Sequence, residues 1–195
     1  MRERAYKRAG ERDEAGSPTL ARRATAEAVG TALLVAAVVG SGIMAERLSG
    51  GNTGVALLAN SLATGGALVA LILAFGGISG AHFNPVVSLV SAAAGELPAA
   101  AVVAYAAGQF GGAVAGVVSA NLMFGEPAVA WSQHARSGLP QAFGEVVATF
   151  GLVAGWIFAT PIADALSLEG DEWLVRAAFV GLWAQMNYEQ LTAVF

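Results

Sequence analysis

An all-α polytopic membrane protein, with four spans and one short helix that enters the bilayer without crossing it, is the fold class this sequence predicts. Three observations carry that reading. The chain is 56% hydrophobic and only 12% charged over 195 residues, with a mean hydropathy of +0.62, whereas soluble domains carry about a quarter charged residues. Its apolar residues gather into runs of about twenty, enough to cross a hydrocarbon core of about 30 Å. A further apolar run is about half that length and opens on Asn84–Pro85.

The elements follow in order. Residues 24–45 form the first span, and a polar, glycine-rich turn at 46–52 (ERLSGGN) ends it. Residues 53–75, containing LVALILAF, form the second. A Gly/Ser loop at 76–82 leads into the apolar stretch 84–94, which is too short to cross and fits a re-entrant segment. Gly95, Glu96 and Pro98 break it, and a third span runs from 99 to 123. The loop 124–139 holds Glu126, His134 and Arg136, and residues 140–160 form the fourth span. Beyond Pro161 the character changes: Asp164, Glu169, Asp171, Glu172, Arg176 and Glu189 fall close together. The expected organisation is a basic tail at 1–22, a membrane domain at 23–160 and an off-pattern tail at 161–195. That tail reads first as off-pattern sequence from truncation or a change of reading frame. The alternatives are that residues 173–184 (WLVRAAFVGLWA) lie flat at the interface as a short helix, or, less favoured, that the tail forms a poor span.

Charge orients the chain. Seven of the ten basic residues (Arg2, Arg4, Lys7, Arg8, Arg12, Arg22 and Arg23) precede residue 24, which places the N-terminus in the cytoplasm. Four acidic residues dilute that cluster, so it reads as a solvated tail before a lipid-headgroup site. The chain has no cysteine, which excludes disulfide frameworks, thiolate metal sites and cysteine nucleophiles. No nucleophile–base pair or metal-ligand spacing emerges, so an enzyme is not expected. No cofactor is expected either. Small residues are frequent in the spans, and GQFGGAVAG at 108–116 reads as a helix-packing face.

The first and fourth spans resemble each other. AEAVGTALLVA at 26–36 aligns without gaps to GEVVATFGLVA at 144–154, with identities that include Glu27/Glu145 and Thr31/Thr149. Three spans separate the copies, so the second enters from the opposite side, as in an inverted repeat. Asn84 follows Glu27 by 57 positions, which puts its counterpart near position 202, past residue 195. Half of a second repeat is therefore expected to be missing.

The stretch ISGAHFNPVVSL at 78–89 bears the chemistry. Gly80 lets the backbone run non-helically at membrane depth, which is tolerated where it lines a water-filled cavity. Asn84 suits an N-cap and Pro85 the first helical position. A short helix beginning inside the membrane turns a partial positive charge toward the cavity. The Asn84 amide adds donors and the loop carbonyls add acceptors. That set suits a neutral polar solute and opposes cations and protons. His82 has no nearby histidine partner, because the other one is His134, so a loop-fixing or pore-facing role outweighs metal ligation.

These residues resemble the first signature loop of the aquaporin and aquaglyceroporin (major intrinsic protein) family, SG-x-H-x-N-P-A-V, written here from Ser79 to Val87. AEAVGT with Glu27 resembles the family's first-helix motif, and Tyr105 with Gln109 its third-helix Y-x-x-x-Q. The resemblance covers roughly residues 20–160 and implies an aquaporin-like bundle in which two half-helices meet at mid-membrane, usually as a homotetramer with one pore per subunit. It implies that Gly80, Ala81, His82, Asn84, Pro85 and Val86 line the pore. It implies too that Glu27 and Glu145 brace the two re-entrant loops, with Tyr105 and Gln109 beside them.

Three departures stand out. Val86 replaces the family's usual Ala and adds bulk beside the constriction. Thr64 stands where water-selective members resemble one another in having an aromatic, which implies a wider filter suited to glycerol-like solutes or metalloid hydroxides. The family's second Asn-Pro loop and its following Arg have no match in this sequence. The expected function is passive transport of water or small uncharged solutes in the plasma membrane. The expected partners are the lipid bilayer and those solutes, with no nucleic acid. The chain as printed is expected not to close a pore alone. The rival readings are a non-conducting fragment or partner subunit of a full-length channel, distinguished by co-purification with a longer homologue, and a secondary transporter, which wants more charge at the midplane.

Overall fold

The computed structural model describes residues 18–130 and 138–167, together with Val175, Arg176 and Ala178. The basic tail before residue 18, His134, Arg136 and most of the C-terminal tail lie outside them. The described residues form helices α1 (Leu20–Leu48), α2 (Thr53–Ser79), α3 (Pro85–Ala93), α4 (Ala99–Met123), α5 (Leu139–Ile157) and α6 (Ala159–Ala165).

Three of these, α1, α2 and α4, are long and apolar enough to cross a membrane. At 29, 27 and 25 residues they run roughly 37–44 Å at 1.5 Å per residue. The 19 residues of α5 reach about 28 Å, close to a bilayer core. The nine of α3 reach only about 13 Å and cannot cross.

Polar punctuation sets the ends. The Thr19 side chain accepts from Arg22 N at 3.3 Å, so α1 starts about a turn before the expected residue 24. Arg22 and Arg23 thereby become helical residues. Asn52 caps α2 by accepting from Val55 N at 3.1 Å. This helix runs past Gly76 and Gly77, which the sequence suggested were loop, because glycine is tolerated in a membrane helix whose backbone bonds stay internal. It stops at Gly80, which takes the left-handed cap conformation at φ +89°. Helix α5, where the sequence predicts a fourth span, ends at Phe158 (φ −96°, ψ 12°), and helix resumes at Ala159. Pro161 has no N–H to give Ile157, but it fits in the first turn of α6, where that donor is not needed.

The centre of the bundle is α1, which packs on both α2 and α4. Its contact with α4 is backbone-close. A Cβ added at Gly108 would stand 2.7 Å from the Ala24 carbonyl oxygen, and one at Gly112 or Gly116 would overlap the carbonyls of Ala28 and Ala32. Glycines every four residues thus meet alanines every four residues, the small-residue packing that lipid-embedded helices use. On the other side, α3 packs on α4 and α5. Leu68, Leu71, Ala81, Phe83, Val87, Leu152 and Trp156 form a shared core that joins α2, the loop at 80–84, α3 and α5. The outward faces stay apolar: Leu58, Leu62, Leu73, Val103, Phe110, Val114, Phe143 and Phe150 are all exposed.

Candidate functional site

The site is assembled around Glu27, fully buried in α1 (0% exposed). Its Oε1 accepts from the Ser79 hydroxyl at 2.6 Å and from His82 N at 3.0 Å. Its Oε2 accepts from Phe83 N at 2.7 Å and from Gln109 Nε2 at 2.8 Å. A buried carboxylate needs such partners, because lone burial of a charge is very costly. Here four donors from α2, the loop and α4 converge on it. Tyr105, one helical turn before Gln109 and equally buried, donates to the Ser79 carbonyl at 2.7 Å and accepts from Arg23 Nε at 2.8 Å.

This anchoring fixes an unusual backbone. Ala81 and Phe83 sit at φ +51° and +50°, a conformation that costs a non-glycine residue of order 1–3 kcal/mol unless its surroundings enforce it. The Phe83 ring lies against Gly30, one turn after Glu27, where any Cβ would overlap it. Ala81 N is held by the Ser79 hydroxyl at 3.2 Å. The amides of residues 81–83 are therefore all turned to protein acceptors. Among the described residues no hydrogen bond reaches the carbonyls of residues 80–83.

Asn84 is buried at the N-cap of α3 with Pro85 at its first position, and its Oδ1 accepts from Val86 N at 2.8 Å. Its Nδ2 has no partner among the described residues. Pro85 and Val86 are half-buried. Thr64 is buried on the stripe of α2 that contains Asn60, which donates to the Val38 carbonyl of α1 at 2.8 Å. The Thr64 hydroxyl has no partner among the described residues. Glu145 is half-buried on α5, apart from the Glu27 network.

A cavity of about 420 Å³ opens beside the loop, lined by Arg23, Ser79, Gly80, His82, Glu96 and Arg176 among others. Trp156 Nε1 donates to Glu96 Oε2 at 3.3 Å, and Arg176 binds Glu96 Oε1 at 3.1 Å while lying 4.4 Å over the Trp156 ring. Sequence reasoning missed Arg23, Ser79, Ser88, Glu96, Trp156 and Arg176 as site residues. Ser88 carried one usable signal, its place one helical turn after Asn84.

The family profile of the major intrinsic proteins matches residues 14–189. The chain is 53% identical over 135 residues to Aquaglyceroporin AqpS of Rhizobium meliloti (strain 1021), an alignment covering 69% of this chain and 58% of that protein. It is 38% identical over 99 residues to Aquaporin Z of Bradyrhizobium diazoefficiens, covering 51% of this chain and 39% of the relative. Probable aquaporin TIP1-2 of Oryza sativa subsp. japonica is 34% identical over 178 residues, 89% of this chain and 69% of that protein. The chain thus spans little more than half the length of AqpS. With the profile covering most of its residues, and with three apolar helices framing a short capped one, this protein belongs to the major intrinsic protein family.

Proposed function

We propose that this protein is a passive membrane channel for water and small uncharged solutes of the glycerol kind, with the loop at 80–84 as its selective element. The observation that carries this reading is the start of α3. A nine-residue helix, capped by Asn84, begins inside the molecule at a strained loop pinned to Glu27. The loop's amides are occupied, which leaves the carbonyls of Gly80, Ala81 and His82 as acceptors and the Asn84 amide as a donor. A neutral hydroxylic solute can satisfy both at once. A cation meets the positive end of α3. The names of the relatives support water and glycerol as the solute class.

In this reading Pro85 and Val86 line the passage beside Asn84, and Thr64 sets its width. Glu27, Tyr105 and Gln109 brace the first loop, and Glu145 braces the opposite half. The protein sits in the plasma membrane with its N-terminus in the cytoplasm, as a homo-oligomer, by family resemblance a tetramer. Stopped-flow light scattering on proteoliposomes tests it. Because the printed residues alone are expected not to close a pore, residues 20–160 are tested in place of the matching segment of a full-length relative. Vesicles holding that chimaera should respond to osmotic water and glycerol gradients faster than empty ones. Asn84→Asp keeps the cap but removes both amide donors. Losing one solute hydrogen bond of about 0.5–1.5 kcal/mol should slow the flux about two- to tenfold. Vesicles holding the chimaera with Asn84 intact, if no faster than empty ones, would overturn the reading.

A further inference from the structure

His82 is clamped on three sides and open on one. Its ring meets the Tyr105 ring edge-on at 5.3 Å and the Trp156 ring at 5.4 Å. Its Nδ1 lies 3.0 Å from Ser88 Oγ. Its Nε2 has no protein partner among the described residues and lies beside Gly80 on the wall of the cavity. A methyl built on Gly80 would stand 3.2 Å from that nitrogen. The bare glycine leaves Nε2 open to whatever fills the cavity.

Whether Nε2 gives or takes a hydrogen bond there is decided by a count of protons behind it. The Glu27 carboxylate can only accept, so Gln109 Nε2 must donate to it at 2.8 Å. The second proton of that amide goes to Ser88 Oγ at 3.0 Å. Ser88 Oγ therefore accepts from Gln109 and has one proton of its own to give. Two acceptors compete for it. The Asn84 carbonyl lies 3.2 Å away, but it already accepts from Ser88 N at 3.1 Å. The imidazole Nδ1 is nearer, at 3.0 Å, and has no other partner among the described residues. It also faces the first turn of α3, whose partial positive charge favours a lone pair over a proton. The hydroxyl donates to Nδ1, so the neutral ring carries its proton on Nε2.

We propose that Gln109 and Ser88 are positioning residues that hold neutral His82 as the Nε2–H tautomer, so that it offers a hydrogen-bond donor to a solute oxygen in the cavity beside Gly80. The inference deepens the channel reading and rests on it for the identity of the solute. A donor in this place binds the oxygen of water or a polyol and repels a cation. It pairs with the loop carbonyls as acceptors, so the passage offers both halves of a hydroxyl's hydrogen bonding.

Magic-angle ¹⁵N spectra of the protein in bilayers, labelled at histidine and carrying His134→Gln so that His82 gives the only ring signals, distinguish a protonated from an unprotonated ring nitrogen. The expected result is a protonated Nε2 and an unprotonated, hydrogen-bonded Nδ1. Ser88→Thr should keep that pattern, and Ser88→Ala should lose the hydrogen-bonded Nδ1 signal and mix the two tautomers. A proton on Nδ1 in the wild-type Ser88 background overturns the proposal, as does an Ser88→Ala spectrum unchanged from it. These spectra do not depend on transport. Vesicles that fail to conduct would sink the channel reading and leave the tautomer standing, and the reverse outcome separates them equally well.

Discussion

Glu27 offers the sharpest test of how the loop is held. Each oxygen of its carboxylate accepts from one loop amide and one side chain: His82 N with Ser79 Oγ, and Phe83 N with Gln109 Nε2. Glu27→Gln changes one oxygen to an NH₂ group. If that group faces Gln109, the neighbour can rotate and present Oε1, which is buried without a partner in the wild type. Phe83 N–H then points at a donor and has no acceptor. If it faces Ser79, the hydroxyl can turn to accept, and His82 N–H is stranded instead. Either way one buried amide is left unpaired, at about 1–3 kcal/mol. Glu27→Ala strands both amides. It also removes the contacts that hold Ala81 and Phe83 at positive φ, whose strain of about 1–3 kcal/mol each is then released by relaxation.

Hydrogen–deuterium exchange on bilayer-embedded protein reads this residue by residue. In Glu27→Gln one of the amides of His82 and Phe83 should exchange about 5- to 150-fold faster, the factor that 1–3 kcal/mol represents. In Glu27→Ala both should lose most of their protection. Amides on the α1–α4 seam near Gly116, well away from the carboxylate, serve as the control. If His82 and Phe83 stay as protected in Glu27→Ala as in the wild type, the loop is held by something other than this carboxylate and the reasoning fails.

Two further outcomes follow from the packing. Gly112→Ala drives a methyl into the Ala28 carbonyl and should cost about 1–3 kcal/mol by overpacking. Gly111→Ala, with nothing within 4 Å of its new Cβ, should be neutral or gain up to about 1 kcal/mol of helix propensity; survival of the folded protein after heating in detergent, followed by gel filtration, ranks the pair. Thr64→Phe should lower glycerol flux relative to water flux, by about 5- to 150-fold if crowding the larger solute costs about 1–3 kcal/mol. An unchanged flux ratio with lost thermal stability would show instead that Thr64 only packs between α2 and α1.

The sequence made the punctuation of this fold legible and its cross-links mostly not. Asn52, Asn84–Pro85 and Pro98 mark helix starts by local chemistry, and the third span was read as residues 99–123, the observed bounds of α4. Glu27 stood out because a carboxylate inside an apolar run is expensive there and needs a reason, and Tyr105 with Gln109 stood out through their resemblance to the family's Y-x-x-x-Q motif. Serines give no such signal. Ser61 bonds the Leu57 carbonyl of its own helix at 2.7 Å, whereas Ser41 also accepts from Asn60 of α2 at 2.8 Å, and Ser79 and Ser88 bridge distant elements. Nothing in sequence spacing separates the two habits. Arg23 reads as one more tail charge until Thr19 starts the helix early enough to bring it to Tyr105. Glu96 and Trp156 lie 60 positions apart, so their bond follows only from the packing of α3 on α5.

The network around Glu27 and the glycine seam of α4 are one device. A carboxylate in a membrane interior is tolerated when donors saturate it, and loop amides outside any helix ladder are tolerated when acceptors meet them. Each solves the other's problem, but only if three elements arrive at one point. Gly30 clears room on α1 for the Phe83 ring, which lets the loop approach Glu27. Gly108 and Gly112, on either side of Gln109 in sequence, let α4 lie against the Ala24 and Ala28 carbonyls of α1. Only at that separation does the Gln109 amide reach Glu27 Oε2 at 2.8 Å. Widening the seam at Gly112 should therefore do more than weaken helix packing. It should withdraw Gln109 from both Glu27 and Ser88, and so loosen the loop from the side opposite to the one that Glu27→Gln attacks.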